Sequence, residues 1–277
     1  MKFPVWQTSL DVFKFMWWQR RIALRFAGVP IGVYLLAIIS VQGLFGAQTI
    51  VPGTEPETAF TAPLLILAIV QLVLFLPAVV TWYRFVVLGL EEAQRRPLFT
   101  LGRLEWRYLL WQIIVIVIVL GFLALSGLAT YVLVSFTNAY PFLIVVATIA
   151  GIASLVGTFL LMTRLSMILV MVSLDKPVSF KASWHMTKGV TWRLLGATLL
   201  VMIGVVILAL PLGVLMGVIM AIVSTIGAEA ASTFLDVATQ SVVSFAGILG
   251  IATLFGFVYA KLKDEAAIDR IAAEVVP

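Results

Sequence analysis

The sequence predicts an all-α, polytopic membrane protein: six transmembrane helices in three parallel two-helix repeats, with short interfacial helices on the cytoplasmic side. Three observations predict it. The 277 residues are 62% hydrophobic and only 11% charged, with a mean hydropathy of +1.15, whereas a soluble domain carries about 25% charged residues. Several apolar runs exceed the roughly 20 residues that a helix needs to cross a bilayer core, and they are continuous rather than alternating, which argues against a β-barrel. All 18 Lys and Arg residues fall into four intervals of the chain, and those intervals lie on one side of the predicted membrane.

The elements follow in order. In residues 5–18, Trp6, Leu10, Phe13 and Trp17 share one helical face while Gln7, Asp11 and Lys14 lie away from it, the pattern of a helix lying in the interface. The first apolar run spans 22–45. It is longer than the ~7–15 residues of a signal-peptide core, so no cleaved leader is expected. The second run, 60–82, carries Gln71, the one strongly polar side chain at depth. The third and fourth, 108–136 and 141–163, are followed by 194–223 and 241–260. Pro211 lies inside the fifth run and is expected to kink it.

The cations lie before the first run (Lys2, Lys14, Arg20, Arg21, with Arg25 just inside it), after the second (Arg84, Arg95, Arg96, Arg103, Arg107), after the fourth (Arg164, Lys176, Lys181, Lys188, Arg193) and after the sixth (Lys261, Lys263, Arg270). The other gaps hold only Glu55, Glu57, Glu229 and Asp236. By the positive-inside rule both termini and the two larger loops are cytoplasmic. Trp6, Trp17, Trp18, Trp82, Trp106, Trp111, Trp184 and Trp192 all fall at or near that boundary, where amphipathic indoles favour the headgroup layer. The net charge of +5 therefore has a membrane explanation, and no nucleic-acid partner is expected.

A repeat organises these signals. Arg84 precedes Pro97 by 13 residues, and Arg164 precedes Pro177 by the same 13. A basic residue stands before each proline (Arg96, Lys176), and Trp-Arg follows at 106–107 and 192–193. A looser copy runs from Pro4 to Trp18 and Arg20, and Lys261 holds the place of Arg84 and Arg164. The unit is a Pro-initiated segment, a Trp/Arg anchor, an outward helix, an inward helix and a closing cation. Two spans per unit make the copies parallel, related by an axis along the membrane normal. The chain is read as one integral membrane domain, 1–277, with repeats at about 1–90, 91–172 and 173–277. Gly189 is placed to end the third interfacial helix as a C-cap.

The segment "RLSMILVMVSLDKPVSFKASWHMTKGVTWRLL", residues 164–195, resembles the recurring cytoplasmic segment of uncharacterised six-span bacterial membrane proteins of the YciC type. It is also similar to the membrane domain attached to some bacterial glycerophosphodiester phosphodiesterases. The resemblance covers most of the chain and implies architecture and a bacterial inner-membrane location. It carries over no catalytic residue, because the phosphodiesterase domain itself is not part of this sequence.

Chemistry is sparse. There is no cysteine and one histidine, His185, and a lone imidazole with no acidic pair beside it cannot make a tetrahedral metal site. No Gly-rich phosphate loop, Ser-His-Asp set or paired carboxylate stands out. Glu91-Glu92 followed by Arg95-Arg96 reads as a solvated salt-bridge pattern. No metal, cofactor or enzymatic activity is expected. Gln71 is read as an interhelical hydrogen-bonding residue, with substrate contact as the alternative. Small residues four apart, Gly213, Gly217 and Ala221, then Ala252, Gly256 and Ala260, permit close helix approach within the bundle or to a partner. Arg84 and Arg164 each precede a continuing apolar stretch, so each guanidinium must snorkel or find an anion. With Trp106, Arg107, Trp192 and Arg193 they are the candidate phospholipid headgroup residues, since a planar guanidinium donates two parallel hydrogen bonds to phosphate. The expected function is a non-enzymatic membrane scaffold or accessory subunit engaging anionic phospholipid, another membrane protein or a second copy of itself. The alternative is a transporter or exporter of a lipid or small amphiphile.

Overall fold

The computed structural model describes residues 4–45, 61–95, 101–137, 140–225 and 229–263. Every element among them is helical: α1 Val5–Trp18, α2 Arg20–Phe45, α3 Thr61–Leu88, α4 Leu90–Gln94, α5 Arg103–Ser135, α6 Leu143–Ser173, α7 Phe180–Thr187, α8 Thr191–Thr225 and α9 Glu229–Lys263. Arg96 and Pro97, on which the second copy of the repeat depends, lie outside the described residues, as do Lys2, Glu55, Glu57 and Arg270.

Five of these helices contain stretches long and apolar enough to cross a membrane: Ile69–Leu88, Arg103–Ser135, Leu143–Ser173, Thr191–Val223 and Ala238–Leu262. A shorter apolar stretch, Gly28–Ala37, lies within α2. The chain is thus a multi-pass membrane protein by length and composition. Most helices run past the apolar limits read from the sequence, because their polar ends still place apolar residues on an inner face. α6 continues beyond Thr163 to Ser173, and Met167, Ile168, Val170, Met171 and Val172 are all buried there. Pro211 lies inside α8 without ending it, as do Pro30 in α2 and Pro77 in α3.

The packing follows a regular scheme. Each long helix packs most extensively on its sequence neighbour, as α2 on α3, α5 on α6 and α8 on α9. The three second members, α3, α6 and α9, also touch one another. Each first member then leans on the second member of the preceding pair: α5 on α3, α8 on α6 and α2 on α9.

The core sits where the cation-bearing helix ends converge. Phe15 of α1 meets Trp82 at 6.0 Å and Phe257 at 5.2 Å between ring centroids, and Phe26 meets Trp82 at 6.3 Å. Trp82 corrects the sequence reading. It is fully buried inside the bundle rather than open to headgroups, and its indole N–H donates to Thr253 Oγ1 at 2.9 Å instead of to an interfacial partner. Trp6, Trp17, Trp18, Trp106, Trp184 and Trp192 are exposed, and Trp111 is half-buried against Phe180.

α1 has three faces rather than two. Trp6, Leu10 and Trp17 are exposed, Gln7, Asp11 and Lys14 are exposed on a second side, and Thr8, Ser9, Val12 and Phe15 are buried. The third face packs α1 onto α8 and α9, with the Ser9 hydroxyl donating to the Ala197 carbonyl at 3.4 Å. α7 is another short helix, ended by Gly189 at φ +86 just after its C-cap, a conformation that glycine adopts without a Cβ penalty. Pro177 lies before that helix, in the extended connection, rather than in its first turn.

The two small-residue stripes behave differently. Ala252 and Ala260 are buried, and a Cβ on Gly256 would lie 2.6 Å from Val86 Cγ1, so this stripe seats α9 on α3. Gly213 and Gly217 face open space instead, and Ala221 is exposed on the same helix.

Candidate functional site

The cation-rich end divides the six candidate residues into two groups. Arg84 and Arg107 gather around the C-terminus of α6. Arg164 stands on the other side of it, beside α7 and the first turn of α8, which carries Trp192 and Arg193.

Arg84 is 7% exposed. α3 stops four residues later, at Leu88, and Gly89 at φ 90, ψ 174 turns the chain back into α4. That return brings Glu92 Oε1 to within 2.9 Å of Arg84 Nη2, while Arg84 Nη1 donates to the Ser173 carbonyl at 3.3 Å. The Ser173 carbonyl is one of the last of α6, where the helix dipole favours a cation. Glu92 Oε2 holds Arg95 Nη1 at 2.9 Å, so the solvated pair read from the sequence exists and also neutralises Arg84. Arg84 Nε alone has no partner. Arg84 therefore has a carboxylate partner, shared with Arg95, and both terminal nitrogens engaged, which leaves little for a headgroup.

Arg107 Nη1 donates to Asp175 Oδ1 at 3.1 Å, and its Nη2 to the Lys176 carbonyl at 3.4 Å. Asp175 is positioned by the end of α6. The Lys176 N–H donates to the Met171 carbonyl and the Asp175 N–H to the Val172 carbonyl, with Asp175 at φ 56. This is a Schellman motif whose left-handed residue is an aspartate rather than a glycine.

Arg164 is half-buried. Its Nε donates to Thr191 Oγ1 at 3.1 Å, and its guanidinium lies 3.9 Å from the centroid of the Trp184 ring. The Ser183 hydroxyl donates to the Arg164 carbonyl, and Thr191 is itself fixed by donating to the Thr187 carbonyl at 2.8 Å. Both α7 and the start of α8 thus hold this one side chain. No carboxylate among the described residues pairs with it. Ring stacking and a hydroxyl acceptor orient a guanidinium but do not neutralise it, so its two terminal nitrogens remain competent to receive an anion. Trp192 and Arg193 are exposed at the head of α8, next to Thr191. Trp106 is exposed on the first turn of α5, next to Arg107.

Sequence reasoning missed Gln112 as a second amide at depth beside Gln71, Glu92 as the counter-ion of Arg84, Asp175 as that of Arg107, and the Trp184–Thr191 cradle of Arg164. The signal for the last was present in Trp184 and the Ser183/Thr187/Thr191 spacing of four, which marks one helical face. His185 is exposed on α7. No group of His, Asp and Glu suited to a metal ion occurs among the described residues.

Gln71 accepts a hydrogen bond from Tyr34 Oη at 3.3 Å, joining α2 to α3. It also borders a cavity of about 240 Å³ lined by Leu72, Phe75, Leu76, Tyr108 and Gln112. Along α3 the cavity reaches Val79, and Val80, Thr81, Trp82 and Tyr83 between it and Arg84 are buried; along α5 it reaches Tyr108, next to Arg107.

No protein family, curated protein or solved structure matches the chain.

Proposed function

We propose that this chain is a non-enzymatic scaffold or accessory subunit of a bacterial inner membrane. It crosses six times with both termini cytoplasmic and receives an anionic phospholipid headgroup at Arg164. The observation that carries the proposal is the state of that arginine: held in orientation by Trp184 and Thr191, half-buried, and without a carboxylate. Arg is suited to a phosphate by its planar fork, and Trp192, Arg193 and Lys188 lie close by in sequence to complete an interfacial, cationic surround.

Several observations support the architecture. α2 has 26 residues, about 39 Å at 1.5 Å per residue, which is long enough for the sixth span. The cyclic packing of α2, α5 and α8 against the preceding α9, α3 and α6 is what three parallel two-helix repeats around a membrane-normal axis require. The placement of all Lys and Arg at one end supports the orientation. The resemblance of residues 164–195 to YciC-type proteins fits the same reading. The buried stretch of α3 between the Gln71 cavity and Arg84 favours a scaffold over a transport path.

The test is the amount of anionic phospholipid retained by the purified chain, read by native mass spectrometry. Arg164→Lys keeps the charge but loses the fork, and is expected to lower retention about five- to tenfold, the loss of one charge-assisted hydrogen bond. Wild-type retention in Arg164→Lys would remove the specific site and leave only a snorkelling anchor.

A further inference from the structure

A second site lies in the apolar part of the bundle. The cavity of about 240 Å³ between α3, α5 and α9 is lined by two amides, Gln71 and Gln112, in walls otherwise formed by Leu72, Phe75, Leu76, Val79, Ile248 and Tyr108, whose hydroxyl is engaged with Tyr83. Gln112 is nine residues into α5, about 13 Å from the helix start at 1.5 Å per residue, well below the exposed Trp106 at the head of the same helix. An amide at that depth is costly to leave unpaired, yet Gln112 finds no hydrogen-bond partner among the described residues. Gln71 spends its carbonyl oxygen on Tyr34 and leaves its own NH₂ without an acceptor. A glutamine amide carries two donor hydrogens and one acceptor oxygen; both NH₂ groups are open while the Gln71 oxygen is engaged and only that of Gln112 is not, so donors outnumber unused acceptors in the cavity.

From this we infer that the Gln71–Gln112 cavity binds the head of a neutral, carbonyl-bearing lipid, its oxygens accepting from the two amides. Neutrality follows from the lining, which contains no Lys, Arg, Asp or Glu. The carbonyl follows from the donor excess. The size fits a head and not a whole molecule, since pockets that enclose drug-sized ligands run to about 300–1,000 Å³. A tail has an exit: Ile248, which lines the cavity, is itself 36% exposed, and Ile113 and Ile116, within about one turn of Gln112 on α5, are exposed. A quinone ring and the ester region of a diacylglycerol both carry this chemistry.

The experiment uses the purified full-length chain in mild detergent and native mass spectrometry. The probes are dioctanoylglycerol, a benzoquinone with one isoprenoid unit, and dioctanoyl phosphatidic acid as the charged control. At least one neutral probe is expected to bind at one per chain, and which one binds identifies the ester or the quinone source. Gln112→Leu should weaken that binding about tenfold, the order expected for lost hydrogen bonds in an apolar site. The variant removes an unpartnered amide from the membrane, so its thermal midpoint should equal or exceed that of the wild type. Leu72→Trp, which fills the cavity, should abolish binding. The inference is overturned if neither neutral probe binds, if Gln112→Leu binds as the wild type does, or if phosphatidic acid binds with the same dependence on Gln112. Arg164→Lys should leave neutral-probe binding unchanged, which separates this site from the one at the cation-rich end.

Discussion

Arg84 and Arg164 stand at the same 13-residue spacing before a proline in the sequence and in opposite electrostatic situations in the structure. After Arg84 the helix breaks at Gly89 and folds Glu92 back onto the guanidinium. The residues at the same spacing after Arg164 are Leu169 and Val172. α6 runs straight through both, and Val172 is fully buried. Eight residues along an unbroken helix is about 12 Å, so even an acid at position 172 would not reach Arg164 without the break. One segment thus builds a structural ion pair and the other withholds it. A cation becomes a binding group when the chain orients it without neutralising it, and the Trp184–Thr191 cradle does that.

The largest expected effect breaks the first of these situations. Arg84→Met removes the buried partner of Glu92, which keeps only the exposed Arg95, and leaves the Ser173 carbonyl without its donor. Removing one partner of a buried pair costs about 3–5 kcal/mol, but Glu92 is partly solvated and the loss should be nearer 2–3 kcal/mol. Arg164→Met strands no opposite charge and should cost about 1 kcal/mol or less, while lowering retained anionic lipid. Thermal unfolding and native mass spectrometry on both variants give the crossed result: Arg84→Met loses stability, Arg164→Met loses lipid. If both lose stability equally, the distinction between the copies is wrong.

Gly89→Ala attacks the break rather than the charge. A residue at φ 90, ψ 174 sits where essentially only glycine is unstrained, and a Cβ there costs of order 1–3 kcal/mol. The same substitution pulls Glu92 away from Arg84, so unfolding should fall by about 2 kcal/mol. A double-mutant cycle with Glu92→Gln should be non-additive. Full additivity would mean that the turn and the ion pair are independent.

These contrasts also mark what was legible in the sequence. Run length and the one-sided cations were enough for an all-helical membrane chain, since both are properties of the chain alone. The partners were not legible. Trp82 has the amphipathic character of a belt residue, and only the fold brings Thr253 to its N–H. Glu92 looked like a surface acid because the return at Gly89 is a backbone conformation rather than a pattern. Gly213 and Gly256 sit in stripes of identical spacing, yet only Gly256 meets a neighbouring helix. Gly256→Ala should therefore destabilise by about 1–2 kcal/mol through overpacking against Val86. Gly213→Ala should be neutral or stabilising by up to about 1 kcal/mol, because it raises helix propensity without a clash. Equal effects on the thermal midpoint would show that α9 does not seat on α3 through this stripe.

The smallest effect lies at the end of α6, where Asp175 does two jobs of opposite sign. Its φ of 56 is a left-handed conformation that disfavours a side chain, by about 1 kcal/mol for an ordinary L-residue, though a short polar side chain tolerates it better. Against that, its carboxylate pairs with Arg107 at 3.1 Å, and both side chains are solvent-accessible, so the pair contributes roughly 0.2–1 kcal/mol. Asp175→Gly removes both terms and should leave stability within about 0.5 kcal/mol of the wild type. Asp175→Ala keeps the left-handed backbone, adds nothing to tolerate it and loses the pair, so it should fall about 1 kcal/mol below the glycine variant. Differential scanning fluorimetry on the two variants reads that gap directly. If alanine and glycine were equivalent at this position, the Schellman turn would not constrain residue 175.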